Sequence, residues 1–375
     1  MDLKELRAKL DEIDPKIVEL FEQRMELCSQ VADYKISAGK KVFDPAREKE
    51  KIQAVKSLTH NDFNATGVEE LFEQLMSMSR KLQYQKLSET GALGRLPFIE
   101  VDSLKKEGSR VVFQGAEGAY SQAAMFKFFG EDVNNFHVDT FRDAMVAIED
   151  GAADFAVLPI ENSTAGIVTD IYDLLNEYEN FIVGEQIIPI EHCLIGVPGT
   201  NISDIKTVYS HAQSLMQSSR FLNDHPDWRQ ISMKNNAFAV QKIANDKDKT
   251  QAAIASEYAA KFYNMEILQK KINHSDTNST RFIIVTNQKI YLPDAGKISL
   301  LVEIRDEVGS LYHILSHFIY NHVNLTRIES RPIEDRNWEY RFFIDFEGNL
   351  ADSAVKNVLR GLREECKSLR VLGNY

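Results

Sequence analysis

With three cysteines in 375 residues, the chain has little material for a disulfide framework. Cys28, Cys193 and Cys366 are scattered and lack the spacing of a metal site, so they read as packing residues in a reducing compartment. No pattern calls for a metal or an organic cofactor. Long apolar runs are also missing. The run from Phe155 to Ile160 ends at Glu161, well short of the ~20 residues a membrane helix needs. The opening MDLKELRAKL is charged and helical in pattern, without an apolar stretch and a small-residue cleavage site, so the expectation is a cytoplasmic protein rather than an exported one. Basic residues are outnumbered, 44 against 56 acidic, for a net charge of −12. That balance argues against a broad nucleic-acid surface, yet leaves room for local basic pockets that bind small anions.

The hydrophobic fraction of 43% is ample for ordinary cores, and the length fits two or three domains. From Leu3 to Tyr34, Leu3, Leu6, Leu10, Ile13, Ile17, Leu20, Leu27 and Val31 recur at spacings of three and four. This is the signature of a long amphipathic helix, ending near Gly39. Asp44 before Pro45 reads as an N-cap with proline in the first turn, and Thr66 with Glu69 reads as a capping box for a further helix. The stretch from Ser88 to Gly108, with Gly91, Gly94 and Pro97, reads as a linker. Beyond it, short apolar runs (Val111 to Phe113, Phe155 to Ile160, Ile187 to Ile190, Ala252 to Ala255) alternate with helical patterns such as Phe141 to Glu149 and Ala212 to Leu222. This is the grammar of an α/β domain. From Lys297 the predicted order is strand, helix, strand, strand, helix, strand, a ferredoxin-like βαββαβ unit.

Within the first helix, the apolar count lands on Arg24. An arginine there either snorkels out of the seam, pairs with a glutamate, or faces a ligand. Lys35 lies about 20° around the helix and roughly 16 Å along it, so the two can converge on one small molecule. Arg7 is about 25 Å away in the other direction and cannot reach that molecule within one straight helix. An antiparallel second copy would supply it, which predicts a homodimer or higher oligomer with shared sites. Arg47 and Glu48 follow the Asp44 cap, while Ser79 and Gln83, four apart, share a helix face.

Across residues 3 to 87 these positions resemble the helical chorismate mutases. The resemblance implies that Arg7 of a partner copy, Arg24 and Arg47 bind the carboxylates of chorismate. It further implies that Lys35 and Gln83 face the ether oxygen, and that Asp44 and Glu48 contact the ring hydroxyl region with Ser79 nearby. The chemistry agrees, since a Claisen rearrangement needs only a compact conformer and donors aimed at the oxygen that gains charge.

In the α/β region, the turn Gln114 to Ser121 is neither a phosphate-binding loop nor a GxGxxG fingerprint. Hydroxyl-rich turns recur at Glu161 to Gly166, read as opening a helix with Ser163 or Thr164 as cap, and at Tyr209 to Gln213. No G-x-S-x-G elbow is present, and His192 and His211 read as core or hydrogen-bonding histidines. The ordered motifs GAEGAYS, PIENSTAG, SHAQ and NSTRF resemble prephenate dehydratases across residues 110 to 286. That resemblance implies a two-lobed fold like periplasmic binding proteins. Thr280 would be the principal catalytic hydroxyl and Arg281 the carboxylate anchor, with Ser121, Asn162, Ser163, His211 and Gln213 lining the cleft for prephenate. Ala212 and Ser218 depart from the family, which more often has proline and cysteine there.

From 297 to 375, Gly309, Ser310 and Leu311, together with Glu329, Ser330, Arg331 and Pro332, resemble the two phenylalanine-binding motifs of ACT regulatory domains. Ser310 stands where alanine is commoner. The expectation is therefore a chain of three domains and one linker: an all-α chorismate mutase domain (1–88), the linker (89–108), an α/β dehydratase domain (109–287) and an α+β ACT domain (296–375). Phenylalanine is the expected effector. The competing reading is a non-catalytic amino-acid sensor or solute-binding module.

Overall fold

The computed structural model describes residues 2–89, 97–275, 277–333, 336 and 339–375. Gly91 and Gly94, at the heart of the expected linker, lie outside the described residues. The chain forms two compact units, Met1–Pro97 with Gly296–Val371, and Phe98–Ala295 with Leu372–Tyr375.

In the first unit three helices come first: α1 (Leu3–Ser37), α2 (Pro45–Lys56) and α3 (Asp62–Glu89). Asp2 caps α1 through a reciprocal box with Glu5, and Gly39 follows its C-terminus in the left-handed region at φ +61°. Asp44 caps α2 by accepting from the Arg47 amide. Thr66 does not cap α3 as expected. The helix begins a turn earlier, at Asp62, where Asn61 Oδ1 accepts from the Asn64 amide, and the Thr66 hydroxyl bonds back to the Asp62 carbonyl. Of the 35 residues of α1 only Ala32 is buried, and its apolar stripe stands open, Leu20 at 65% and Leu10 at 59% exposure.

The C-terminal part of this unit runs strand Lys297–Glu303, helix Ser310–Tyr320, strands Leu325–Pro332 and Tyr340–Glu347, helix Ser353–Glu365 and the first half of strand Ser368–Asn374, which passes into the second unit at Leu372. The strands lie in the spatial order Leu325–Pro332, Tyr340–Glu347, Lys297–Glu303, Ser368–Asn374. Helix α3 packs on both helices of this layer. Lys81 Nζ donates to Ser316 Oγ at 2.9 Å, and Tyr84 Oη donates to Glu364 Oε2 at 2.6 Å.

The second unit contains two sheets. One orders strands Phe181–Pro189, Ser279–Thr286, Phe155–Asn162, Arg110–Gln114 and Asn134–Val138. The other orders Glu266–Gln269, Cys193–Gly196, Gln251–Ala255, Thr207–Ser210 and Arg229–Ser232. Their apolar runs are buried on both faces, as the neighbours Val111 and Val112, and Val157 and Leu158, in the first and Ala253 and Ile254 in the second show with 0% exposure. Part of the expected linker is structural: Ile99–Glu100 pairs with Ile290–Tyr291, and Leu104 is buried in the first sheet's core. The Ala212 to Leu222 pattern divides at Ser218 into helices Ala212–Gln217 and Ser219–Asn223. The turn after Asn162 leads into strand Gly166–Ile167, not directly into a helix. Gly118, at φ +85°, lies where a Cβ would come within 2.7 Å of Ala259 Cα, so the GAEG turn can approach the Glu257–Phe262 helix only with glycine.

Candidate functional site

Strand Ser279–Thr286 runs antiparallel to Phe155–Asn162 with Thr280 opposite Asn162. The start of one strand therefore meets the carboxyl end of the other, where ligands of α/β sheets collect. Asn162 is fully committed. Its Oδ1 accepts from the Thr164 amide (3.0 Å), the Thr164 hydroxyl (2.8 Å) and the Ala165 amide (2.9 Å). Its Nδ2 must then face the other way, donating to Thr280 Oγ1 at 2.9 Å and Asn278 Oδ1 at 2.8 Å. A hydroxyl that accepts from an amide keeps its own proton for another acceptor. Thr280, at 9% exposure, is thereby set up as a donor.

The network continues through residues that sequence reasoning did not assign to the site. Gln217 Nε2 donates to Thr164 Oγ1 at 3.0 Å, and Gln217 Oε1 lies 2.9 Å from His192 Nε2. His192 Nδ1 is 3.2 Å from Tyr120 Oη. Burial lowers the His192 pKa against the opposing Gln217 contact, so the ring is neutral near pH 7. Burial likewise raises that of Tyr120. Gln217 had no local signal, because its partners are distant in sequence.

Other dehydratase candidates have structural bonds. Ser121 Oγ donates to the Gln114 carbonyl (2.7 Å), and Ser163 Oγ donates to the Thr277 carbonyl (3.1 Å) while accepting from the Ser279 amide (2.9 Å). His211 caps its helix, its Nδ1 accepting from the Gln213 amide at 3.3 Å. Arg281 is flanked by Glu161 (3.4 Å) and Glu185 (3.5 Å), so an anion reaching it must compete with two carboxylates.

Among the mutase candidates, Gln83 Nε2 donates to Ser79 Oγ at 3.0 Å, both buried, and Gln83 Oε1 has no partner among the described residues. Arg24 Nη1 donates to the Leu75 carbonyl at 3.0 Å, and Lys35 Nζ to the Val42 carbonyl at 2.5 Å. Arg47 pairs with Glu50 at 2.6 Å on the surface. Glu48 is held by Arg80, and it alone of the mutase set lines a cavity of about 510 Å³ between the helices and the segment Ile304–Ile314. Arg7 stays on exposed α1, distant along the helix from Arg24.

Gly309, Ser310 and Leu311 line an adjoining cavity of about 240 Å³ with Tyr340 and Phe342, and Ser310 borders both cavities. Glu329, Ser330, Arg331 and Pro332 lie on the strand paired to Tyr340–Glu347 and do not line it.

Comparison with known proteins decides the family. Residues 6–84 match the family model of chorismate mutase type II, and residues 111–290 that of prephenate dehydratase. The bifunctional chorismate mutase/prephenate dehydratase of Escherichia coli (strain K12) is 31% identical over 99% of this chain and 95% of its own length. The chain belongs to the bifunctional chorismate mutase/prephenate dehydratase family. Both activities reside in this one polypeptide, which serves phenylalanine biosynthesis. A prephenate dehydratase from Arthrobacter aurescens, solved in complex with L-Phe, has a TM-score of 0.66 at 30% identity and covers 71% of this chain and 89% of that one. A chain described as a quorum quenching acylase has a TM-score of 0.65 at 31% identity, covering 70% and 96%. Among the described residues, no helix is long and apolar enough to cross a membrane.

Proposed function

We propose that residues 1–88 form the mutase domain, 109–287 the dehydratase domain and 296–375 an ACT domain, in a cytoplasmic enzyme inhibited by phenylalanine. Lys35 and Gln83 stabilise the ether oxygen of chorismate as it gains charge; Arg24, Arg47 and a partner's Arg7 hold its carboxylates, and Asp44, Glu48 and Ser79 surround the ring hydroxyl. The exposed stripe of α1 supports assembly with a second copy, since a 35-residue helix with one buried residue leaves its apolar face in water. Arg281 orients prephenate, and Ser121, Ser163, His211 and Gln213 shape the cleft.

The observation that carries the dehydratase assignment is the Asn162 to Thr280 bond, which leaves the Thr280 proton free for the departing hydroxyl of prephenate. Loss of carbon dioxide and that hydroxyl yields an aromatic ring, so the driving force is intrinsic and a hydrogen-bond donor suffices. Phenylalanine binds at Gly309 to Leu311, between subunits, with Glu329 to Pro332 of a second copy completing the site. The structure of a related dehydratase with L-Phe supports this effector.

The test is phenylpyruvate formation from chorismate with no added cofactor. Lys35→Ala is expected to lower mutase turnover by about 10²-fold while supplied prephenate is still consumed at the normal rate. A folded chain that forms no phenylpyruvate from either substrate would favour a non-catalytic amino-acid sensor.

A further inference from the structure

Arg80 has no place in the expected mutase set, and its surroundings are unlike those of a surface arginine. It is 5% exposed, on α3. Its Nη1 lies 2.6 and 2.5 Å from the two oxygens of Glu48 on α2. Its Nε and Nη2 both lie 3.0 Å from Glu365 Oε1, at the end of helix Ser353–Glu365. The guanidinium is 5.0 Å from the ring of Phe43. On its other side Glu365 faces His317, whose Nε2 lies 3.1 Å from Oε2. His317 fits there because Gly361 has no side chain: a Cβ would lie 2.3 Å from the imidazole.

A buried guanidinium needs its charge matched, and the planar fork matches two carboxylates on two sides at once. Burial opposes ionisation of Glu365, but His317 and then Arg80 outweigh it and hold its pKa below the usual carboxylate value. Burial likewise opposes charge on Arg80, and Glu365 and Glu48 outweigh it. The Glu48 carboxylate therefore has little freedom, with its side chain 24% exposed and turned to the cavity of about 510 Å³.

We infer that Arg80 is a positioning residue for the mutase step: it fixes the Glu48 carboxylate, and Glu365 of the C-terminal segment fixes Arg80. The inference rests on the assignment of Glu48 to the chorismate site. It means that the C-terminal segment contributes to mutase geometry as well as to effector binding. Each Glu48 oxygen keeps lone pairs for a substrate hydroxyl while Arg80 sets its direction.

The experiment uses the full chain and measures mutase kcat/KM on chorismate and dehydratase rate on supplied prephenate. Arg80→Met is expected to lower mutase kcat/KM by about tenfold or more, Arg80→Lys less, and Glu365→Gln by about threefold, with dehydratase rates unchanged. Tyr84→Phe, which cuts the neighbouring bond to Glu364 without touching Glu48, should leave both rates near normal. The deciding comparison is a double-mutant cycle. If Arg80 acts through Glu48, then Arg80→Met in a Glu48→Gln background should change mutase kcat/KM by less than about twofold. Independent, multiplicative effects would show Arg80 to be merely structural and overturn the inference, as would a normal rate in Arg80→Met. If Glu48→Gln alone is harmless, the assignment of Glu48 falls first; if it is harmful and Arg80→Met is not, only the present inference falls.

Discussion

At the scale of single residues, the proposed dehydratase site turns on the direction of one proton. Three donors saturate Asn162 Oδ1, so its amide nitrogen is the group that meets Thr280. Replacing Thr280 with valine removes the hydroxyl at little change in volume, and Asn162 Nδ2 retains Asn278 Oδ1 (2.8 Å) and the Ser279 carbonyl (3.2 Å). The fold should tolerate the change. Thr280→Val is expected to lower the dehydratase rate by about 10²-fold or more, the cost of one preorganised donor, and to accumulate prephenate from chorismate. Thr280→Ser keeps the donor and should stay within about tenfold of the parent. Equal rates in the two variants, measured by phenylpyruvate absorbance, would move the catalytic role away from the hydroxyl.

At the scale of elements, α3 shows why sequence reading stopped where it did. Thr66 and Glu69 mimic a capping box inside the helix, where the Thr66 hydroxyl instead bonds back to the Asp62 carbonyl, so the sequence pattern places the helix start a turn too late. The end of α3 presents Arg80, Lys81 and Tyr84 to helices Ser310–Tyr320 and Ser353–Glu365. Their partners lie 235 to 285 residues downstream, beyond any local pattern. By contrast Asn162 and Thr280 each stood in a recognisable motif, and only their mutual bond required the fold. Lys81 carries a measurable consequence. Burial, resisted by Glu365 and reinforced by Arg80, lowers its pKa from 10.5 to about 7, and its ammonium sits 3.6 Å from the Tyr320 ring centroid. Between pH 7 and 10.5 the unfolded chain holds a proton that the folded chain has released, so stability from this site rises with pH across that window and is lowest below it. Lys81→Met should therefore be more stable than the parent at pH 7, with the difference shrinking by pH 9 to 10. Urea midpoints of both chains at several pH values check this, and a difference that does not change with pH would contradict it.

At the scale of the whole molecule, the proposed effector must act on a reaction whose proposed donor, Thr280, lies in the other compact unit. Bound in a unit other than the one holding Thr280, phenylalanine inhibits by binding more tightly to a less competent state, and prephenate must then weaken phenylalanine binding by the same factor. The structure also limits how this is tested. A chain ending at Asn287 would lose Ile290 and Tyr291, the strand partners of Ile99 and Glu100, and the downstream partners of Arg80, Lys81 and Tyr84. Substitutions in the full chain are the cleaner instrument. Gly309 lines the cavity of about 240 Å³ and is left-handed at φ +79°, and a Cβ there would meet His313 Nε2 at 3.4 Å, so Gly309→Val strains the turn that forms the cavity wall. Ser310→Leu fills the same cavity from the first position of a helix without a backbone penalty. Both variants are expected to keep the uninhibited dehydratase rate and to need about tenfold more phenylalanine, or more, for half inhibition, a coupling of ordinary allosteric size. Dehydratase rate against phenylalanine concentration for the parent and both variants decides the matter. If all three curves coincide, phenylalanine acts in the prephenate cleft as a competitor, and the Gly309 to Leu311 cavity has no part in its control.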